Sequence, residues 1–236
     1  MAEHISKQFD ADLEAVRTRV LHMGGVVEEQ IVKAIEGLTS GDMALIERVI
    51  ANDHRVNGLE VELDEACSYI IAKRQPAASD LRLIIAIIKT ITDLERIGDE
   101  AEKIARMAKL TYSGERQHMP KLELKHVSDL ALAMLRKSLD AFARLDSVAA
   151  AQVVRQDELV DNEFRSILRQ LITFMMEDPR SIRRVLDVMW MVRALERIGD
   201  HAKNICEYVI YMVHGKDVRH IRIEDVERAL KDSNGP

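Results

Sequence analysis

The hexapeptide Leu-Glu-Arg-Ile-Gly-Asp occurs twice in this chain, at 94–99 and again at 195–200. The offset of 101 residues, the distance from Glu95 to Glu196, also pairs Arg82 with Arg183, Ala101 with Ala202 and Ile104 with Ile205. Between each flanking arginine and its phrase, residues 83–92 and 184–193 are largely apolar. A self-match at a fixed offset settles the architecture before any local assignment, because each copy must be one structural unit. The chain is two related halves.

The phrase is locally unfavourable as a helix. Glu95 and Asp99 stand four apart, as do Glu196 and Asp200, so each pair shares one helical face about one turn apart. Like charges at that spacing destabilise an isolated helix by roughly 0.2–0.5 kcal/mol. Gly98 and Gly199, inside the same helices, each cost about 1 kcal/mol relative to Ala. Something outside the helix must compensate. Either arginines do so, with Arg96 and Arg197 in the phrase itself, or a hard cation takes the carboxylate oxygens.

The rest of the chain reads as helix. Leu13, Val16, Val20, Met23, Val27, Ile31, Ala34, Ile35 and Leu38 recur at helical period. The turn Thr39-Ser40-Gly41-Asp42 can cap a second helix over about 42–74, which Gln75-Pro76 stops. Ser79 or Asp80 is expected to cap a third helix that fades at Ser113-Gly114. His118-Met119-Pro120 opens a fourth, Leu145-Asp146 links it to a fifth ending near Met176, and Asp178-Pro179 starts a sixth that ends at Gly215. Only 10 Gly and 4 Pro interrupt the chain, and the 47% of hydrophobic residues include few aromatics, so the core is aliphatic with 11 methionines.

Helices of about 30 residues are about 45 Å long, and short links make successive ones antiparallel neighbours. The predicted fold is therefore all-α, two tandem three-helix bundles built from six long helices. The first bundle spans 1–116, the second 117–215, and a charged tail spans 216–236 with one short helix near Ile223 to Leu230.

The net charge of −6 argues against nucleic-acid binding. Cys67 and Cys206 do not correspond under the repeat and read as buried free thiols in a reducing compartment. No signal peptide is expected at the start, and the most apolar run, 81–91, contains Arg82 and Lys89 and is too short to span a bilayer. The expected location is the cytoplasm. No Gly-rich phosphate loop, Ser/His/Asp set or Cys/His set is present, so no catalytic residue is assigned.

The second helices add their own acids. Asp53 and Asn57 correspond to Asp157 and Asp161 at an offset of 104, the distance from Asp53 to Asp157. Glu60 and Asp64 correspond to Phe164 and Leu168, so that pair is lost in the second half. If the second and third helices of each half lie side by side, Asp53 and Asn57 face Glu95 and Asp99, and Asp157 and Asp161 face Glu196 and Asp200. Such a face is either a solvated, salt-bridged surface or a site for a hard metal such as Mg, Mn, Ca or oxidised Fe.

A di-iron enzyme would want Glu-x-x-His pairs in each half, and that arrangement is absent. His201 aligns with Glu100 and is no duplicated ligand, while His118, His214 and His220 lie near helix ends and complement the dipole. Arg82 and Arg183, near the starts of the third and sixth helices, form either salt bridges or contacts with a protein partner.

The stretch Gln75-Pro76-Ala77-Ala78-Ser79-Asp80-Leu81-Arg82, followed by Asp93 through Asp99 and by residues 195–211, resembles the PhoU family of phosphate-transport regulators, from about Phe9 to Gly215. The resemblance implies a non-enzymatic cytoplasmic protein, peripheral to the membrane. It would bridge the phosphate ABC transporter, through its ATPase, and the sensor histidine kinase, repressing the starvation response when phosphate is plentiful. A homodimer is expected, and so are metal ions (Fe, Mn, Mg or Zn). Carried over by position, the metal residues are Asp53, Glu95, Asp99, Asp157, Asp161, Glu196 and Asp200, with Asn57 a weaker ligand than a carboxylate and Phe164 breaking the Glu60 correspondence. The rival assignment is a carboxylate-bridged metalloenzyme or simple metal-binding bundle, which would need an open coordination position, a base and a substrate pocket.

Overall fold

The computed structural model describes residues 7–113 and 124–219, together with residues 221 and 225. Six long helices make the architecture: α1 (Lys7–Ser40), α2 (Met43–Arg74), α3 (Ala78–Ser113), α4 (Leu124–Arg144), α5 (Ser147–Glu177) and α6 (Ile182–His214), with a 3-10 turn at Pro179–Ser181. No strand occurs among the described residues. The fold is all-α, as its periodicity predicts. The predicted start of the fourth helix at His118 lies outside the described residues, as does the tail helix apart from Asp225, which is helical.

Short polar links set the antiparallel order. Gly41 takes φ 72°, the left-handed conformation that glycine adopts without strain. Asp42 then caps α2, its Oδ1 accepting from the N–H groups of Ala44 and Leu45 at 3.0 Å each. The corresponding link in the second half puts Leu145 at φ 52° where the first has glycine, and Asp146 caps α5 by accepting from the Ala149 N–H at 2.9 Å. Asp178 accepts from the Arg180 N–H at 3.2 Å and starts the 3-10 turn, with Pro179 at its first position. The predicted cap at Ser79 or Asp80 is displaced. Gln75 ends α2 in a left-handed conformation and Ala78 (φ 43°) turns the chain straight into α3, so Ser79 and Asp80 fall inside its first turn.

In each half the three helices all touch one another, and the most extensive helix pairing in the molecule is α3 against α6, across the halves. That pairing is antiparallel. The Lys89 ammonium lies over the rings of Tyr208 and Tyr211, Asp93 meets Asn204 and His201, and Glu100 meets Arg197. Each step up α3 is a step down α6, and the register sets Gly98 level with Gly199. The repeated phrases therefore lie at the centre of an approximate two-fold that exchanges the halves. One connected apolar core runs through both, from Val20, Met23 and Ile31 on α1 to Ile198, Ile205 and Val209 on α6. Cys67 and Cys206 are buried free thiols within it. Met23, Met134 and Met191 are core residues as predicted, whereas Met176 is 79% exposed.

The glycines of the phrase are explained here. A Cβ at Gly98 would stand 3.2 Å from Val56 Cγ1, and one at Gly199 would stand 3.4 Å from Val160 Cγ1. Val56 and Val160 correspond at the same offset of 104 that relates Asp53 to Asp157. Glycine lets α3 lie close on α2, and α6 on α5, at equivalent places.

Candidate functional site

Close packing of α2 on α3 gathers the first acidic face. Asp53, buried on α2, accepts from Gln30 Nε2 of α1 at 3.1 Å and from Asn57 Nδ2 at 3.3 Å, and Gln30 also donates to the Gly98 carbonyl at 3.4 Å. Burial pushes the Glu95 carboxyl above its ordinary pKa, and the charges of Asp99, Glu60 and Asp53 push it further. Asp99 is raised by burial and then by Asp53, Glu102 and Glu100. Asp53, Glu95 and Asp99 thus share one face, and Glu60 joins them. Asn57 turns its amide toward Asp53 and leaves a buried Oδ1 without a hydrogen bond.

The second face is built at the equivalent place on α5 and α6 and is differently balanced. Asp157 accepts from Lys203 Nζ at 2.7 Å, Asp161 from Arg165 Nη2 at 3.0 Å, and Glu196 Oε1 from Arg193 Nη1 at 2.5 Å. The places that correspond to Lys203, Arg193 and Arg165 in the first half hold Glu102, Thr92 and Val61. Three cations therefore serve the second face and have no counterparts on the first. Even so, burial and the Asp200 charge raise Glu196 to about 7 despite Arg193, and its Oε2 is buried without a hydrogen bond. Asp200 is raised by burial and then by Asp157.

Both faces offer hard oxygen donors, without thiolate or imidazole among them. That chemistry fits Mg, Mn, Ca or Fe better than Zn. As the side chains stand, no three His, Cys, Asp or Glu residues among those described converge on one metal position.

The phrase arginines favour ionisation of their own glutamates only through their charge, Arg96 on Glu95 and Arg197 on Glu196, and neither is an ion-pair partner of those acids. Arg96 points into solvent, and Arg197 reaches across to α3, where its Nε donates to Glu100 at 2.8 Å. His201, buried, meets Asp93 through Nδ1 at 2.6 Å and Arg197 through Nε2 at 3.3 Å, and Asn204 donates to the same Asp93 oxygen at 3.1 Å. This polar seam between the halves was not apparent from the repeat, because Asp93 corresponds to Ala194 and Glu100 to His201. Its one sequence signal is that these residues interrupt apolar helix faces. Gln30 gives the same signal between Val27 and Ile31.

Arg82 and Arg183 have diverged. Arg82 is half-buried in a cleft of about 520 Å³, where its guanidinium lies against Gly215 at the end of α6, within 2.5 Å of where a Cβ there would be. Arg183 is exposed. His214 meets Ser147 Oγ at 2.9 Å, while His118 and His220 lie outside the described residues.

Fold and site together define an all-α duplicated helical bundle with a carboxylate face in each half. The PhoU domain matches twice, over residues 20–108 and 124–209, and the chain belongs to the PhoU family. It is 48% identical to the phosphate-specific transport system accessory protein PhoU homolog of Pseudomonas aeruginosa, an alignment covering 100% of this chain and 97% of that protein. It is 49% identical to the PhoU accessory protein of Escherichia coli K12, covering 98% and 97%. The crystal structure of PhoU from Pseudomonas aeruginosa superposes with a TM-score of 0.85, at 48% identity, over 88% of this chain and 100% of that one. The phosphate transport system regulatory protein PhoU from Streptococcus pneumoniae gives 0.83 at 30% identity, over 89% and 99%. These relatives are accessory and regulatory proteins, and the chain is a member of that kind, not an enzyme.

Proposed function

We propose that this protein regulates phosphate uptake and phosphate-starvation signalling in the cytoplasm. It acts as an adaptor between the ATPase of the phosphate ABC transporter and the sensor histidine kinase, repressing the response when phosphate is plentiful. The observation that carries this reading is the end-to-end match to accessory proteins of phosphate transport, at about half identity across both repeats. No helix among the described residues is long and apolar enough to cross a membrane, and in this reading the protein meets the membrane through its partners. The test is a starvation-response reporter in phosphate-rich medium. Deleting the gene raises its output, and unchanged output overturns the adaptor reading. Sedimentation of the purified chain tests the homodimer.

The second part of the reading is that the carboxylate faces hold Fe, Mn, Mg or Zn. Asp53, Glu95 and Asp99 would serve on one face, and Asp157, Asp161, Glu196 and Asp200 on the other. What supports it is a set of raised acids bearing hard oxygen donors, with unpartnered oxygens on Asn57 and Glu196. A bound cation would supply positive charge and nothing else. The first face would fill first, because on the second Lys203, Arg193 and Arg165 already contribute that charge. Chelation is expected to lower the melting temperature and metal to restore it, by about 2.7 kcal/mol at a hundredfold excess over Kd. Glu95→Gln with Asp99→Asn removes most of the response, and an unchanged response shows that these residues are not ligands.

A further inference from the structure

We propose that Lys203 is the resident cation of the second carboxylate face, in the role that the first face leaves to a metal ion. The first face then binds metal at least about tenfold more tightly than the second. This rests on the metal reading above and names the residue that sets the difference between the two faces.

The repeat carries a reversal of charge beside the faces. At the offset of 101, Glu102 corresponds to Lys203 and Arg106 to Glu207. Each pair stands four apart on its helix and is neutral as a whole, so what differs is which member lies toward the face. In the first half it is the acid. The Glu102 side chain is 20% exposed, and the Arg106 guanidinium that binds it is 56% exposed. In the second half it is the base, with Lys203 Nζ donating to the buried Asp157 at 2.7 Å. Burial raises both Asp99 and Asp200, but the next charge along acts on them with opposite sign. Glu102 adds to the rise of Asp99, whereas Lys203 opposes the rise of Asp200.

Lys203 also bridges helices, as a shared metal ion would. Arg165 with Asp161 lies within α5 and Arg193 with Glu196 within α6, whereas Lys203 reaches from α6 to an acid on α5. Burial works against the ammonium, yet the Asp157 hydrogen bond and the charges of Asp157, Glu207 and Asp200 hold its pKa above the ordinary lysine value. The pair equivalent to Lys203 and Asp157 is Glu102 and Asp53, two acids. Among the described residues the Asp53 side chain accepts from the neutral amides of Gln30 and Asn57 and from no cation. Asn57 also leaves a buried oxygen without a hydrogen bond there. Arg96, Lys103 and Arg106 act on Glu95, Asp99 and Asp53 through charge alone, and Lys103 is itself bonded to Glu100 at 2.7 Å.

The consequence for an arriving cation is unequal. On the first face it relieves repulsion among Asp53, Glu60, Glu95 and Asp99. On the second it meets an ammonium already bonded to Asp157. It must displace Lys203 or bind beside a like charge, and either route subtracts from affinity.

The test uses the full chain, stripped of metal and titrated with manganese chloride by calorimetry, with manganese content measured after desalting. The wild type is expected to give a tight phase and a second at least about tenfold weaker. Glu95→Gln with Asp99→Asn abolishes the tight phase and so marks it as the first face. Lys203→Gln, and Lys203→Glu with Glu207→Arg, each tighten the weak phase at least about tenfold. Glu102→Lys with Arg106→Glu weakens the tight phase by a similar factor. Circular dichroism melts show that each variant folds, and Lys203→Gln, which adds no charge, carries the test if a charge-reversed pair does not. Equal phases in the wild type, or a gap that Lys203→Gln leaves unchanged, overturn the role of Lys203 while the metal reading stands. A tight phase that survives Glu95→Gln with Asp99→Asn places it elsewhere and overturns the proposal. No manganese bound by the wild type or by any variant overturns the metal reading and the proposal with it.

Discussion

Glu196 is the residue on which the second face is least settled. It is 8% exposed, one oxygen is held by Arg193 and the other meets no donor, and its carboxyl is raised to about 7, chiefly by burial and then by Asp200. Glu95, Asp99 and Asp200 are raised in the same direction. The sign for stability follows directly. Between the unfolded carboxylate range and the raised folded value, the native state binds more protons than the unfolded chain, so stability falls as pH rises through that window. The metal-free protein is therefore expected to melt highest near pH 5 and progressively lower toward pH 7.5. In Glu196→Gln the decline is shallower, because the amide has no charge to desolvate. A wild-type melting temperature that rises over this range would show that the carboxylates are stabilised as anions. The same titration in added Mn or Mg flattens if the faces hold cations.

At the scale of helices, the repeated glycines are the clearest case of tertiary packing overriding propensity. Alanine gains about 1 kcal/mol over glycine in a helix interior, but the two positions differ in room. At Gly199 the added Cβ meets Val160 Cγ1 at 3.4 Å, an ordinary contact, and at Gly98 it meets Val56 Cγ1 at 3.2 Å, which requires the valine to give. Gly199→Ala is expected to raise the melting temperature, and Gly98→Ala to raise it less or lower it. Equal gains would mean that α2 yields freely against α3. Much of this level was legible in the sequence. Helical periodicity placed all six helices, and Asp42 and Asp146 cap where turn chemistry puts them. The start of α3 was missed because a left-handed Ala78 carries no residue signature. The acidic faces were legible as pairs of offsets. Their imbalance was not, because Lys203, Arg193 and Arg165 matter only once α5 and α6 are seen side by side, with Glu102, Thr92 and Val61 in the equivalent places.

At the scale of the whole molecule, the question is whether the two repeats are independent units or one body. The α3–α6 seam answers for one body, since the shared core and the Asp93–His201 and Glu100–Arg197 pairs join the halves at their centre. His201 spans the seam, its Nδ1 2.6 Å from an Asp93 carboxylate oxygen and its Nε2 3.3 Å from Arg197 Nη2. Trp190 lies on α6 and so reports on the second half, while far-ultraviolet circular dichroism reports on both. Independent halves would give a fluorescence transition that separates from the dichroism transition. A single body is expected to give coincident ones. His201→Ala strips Asp93, 5% exposed, of its imidazole partner and leaves it with Asn204 and Tyr208. The expected loss is ~1–3 kcal/mol, at about 2–4 °C of melting temperature per kcal/mol in a chain of this size. Both probes should shift together, because the seam belongs to neither half alone. A shift seen by one probe only, or two separate transitions in the wild type, would show that the repeats fold as separate domains that merely touch.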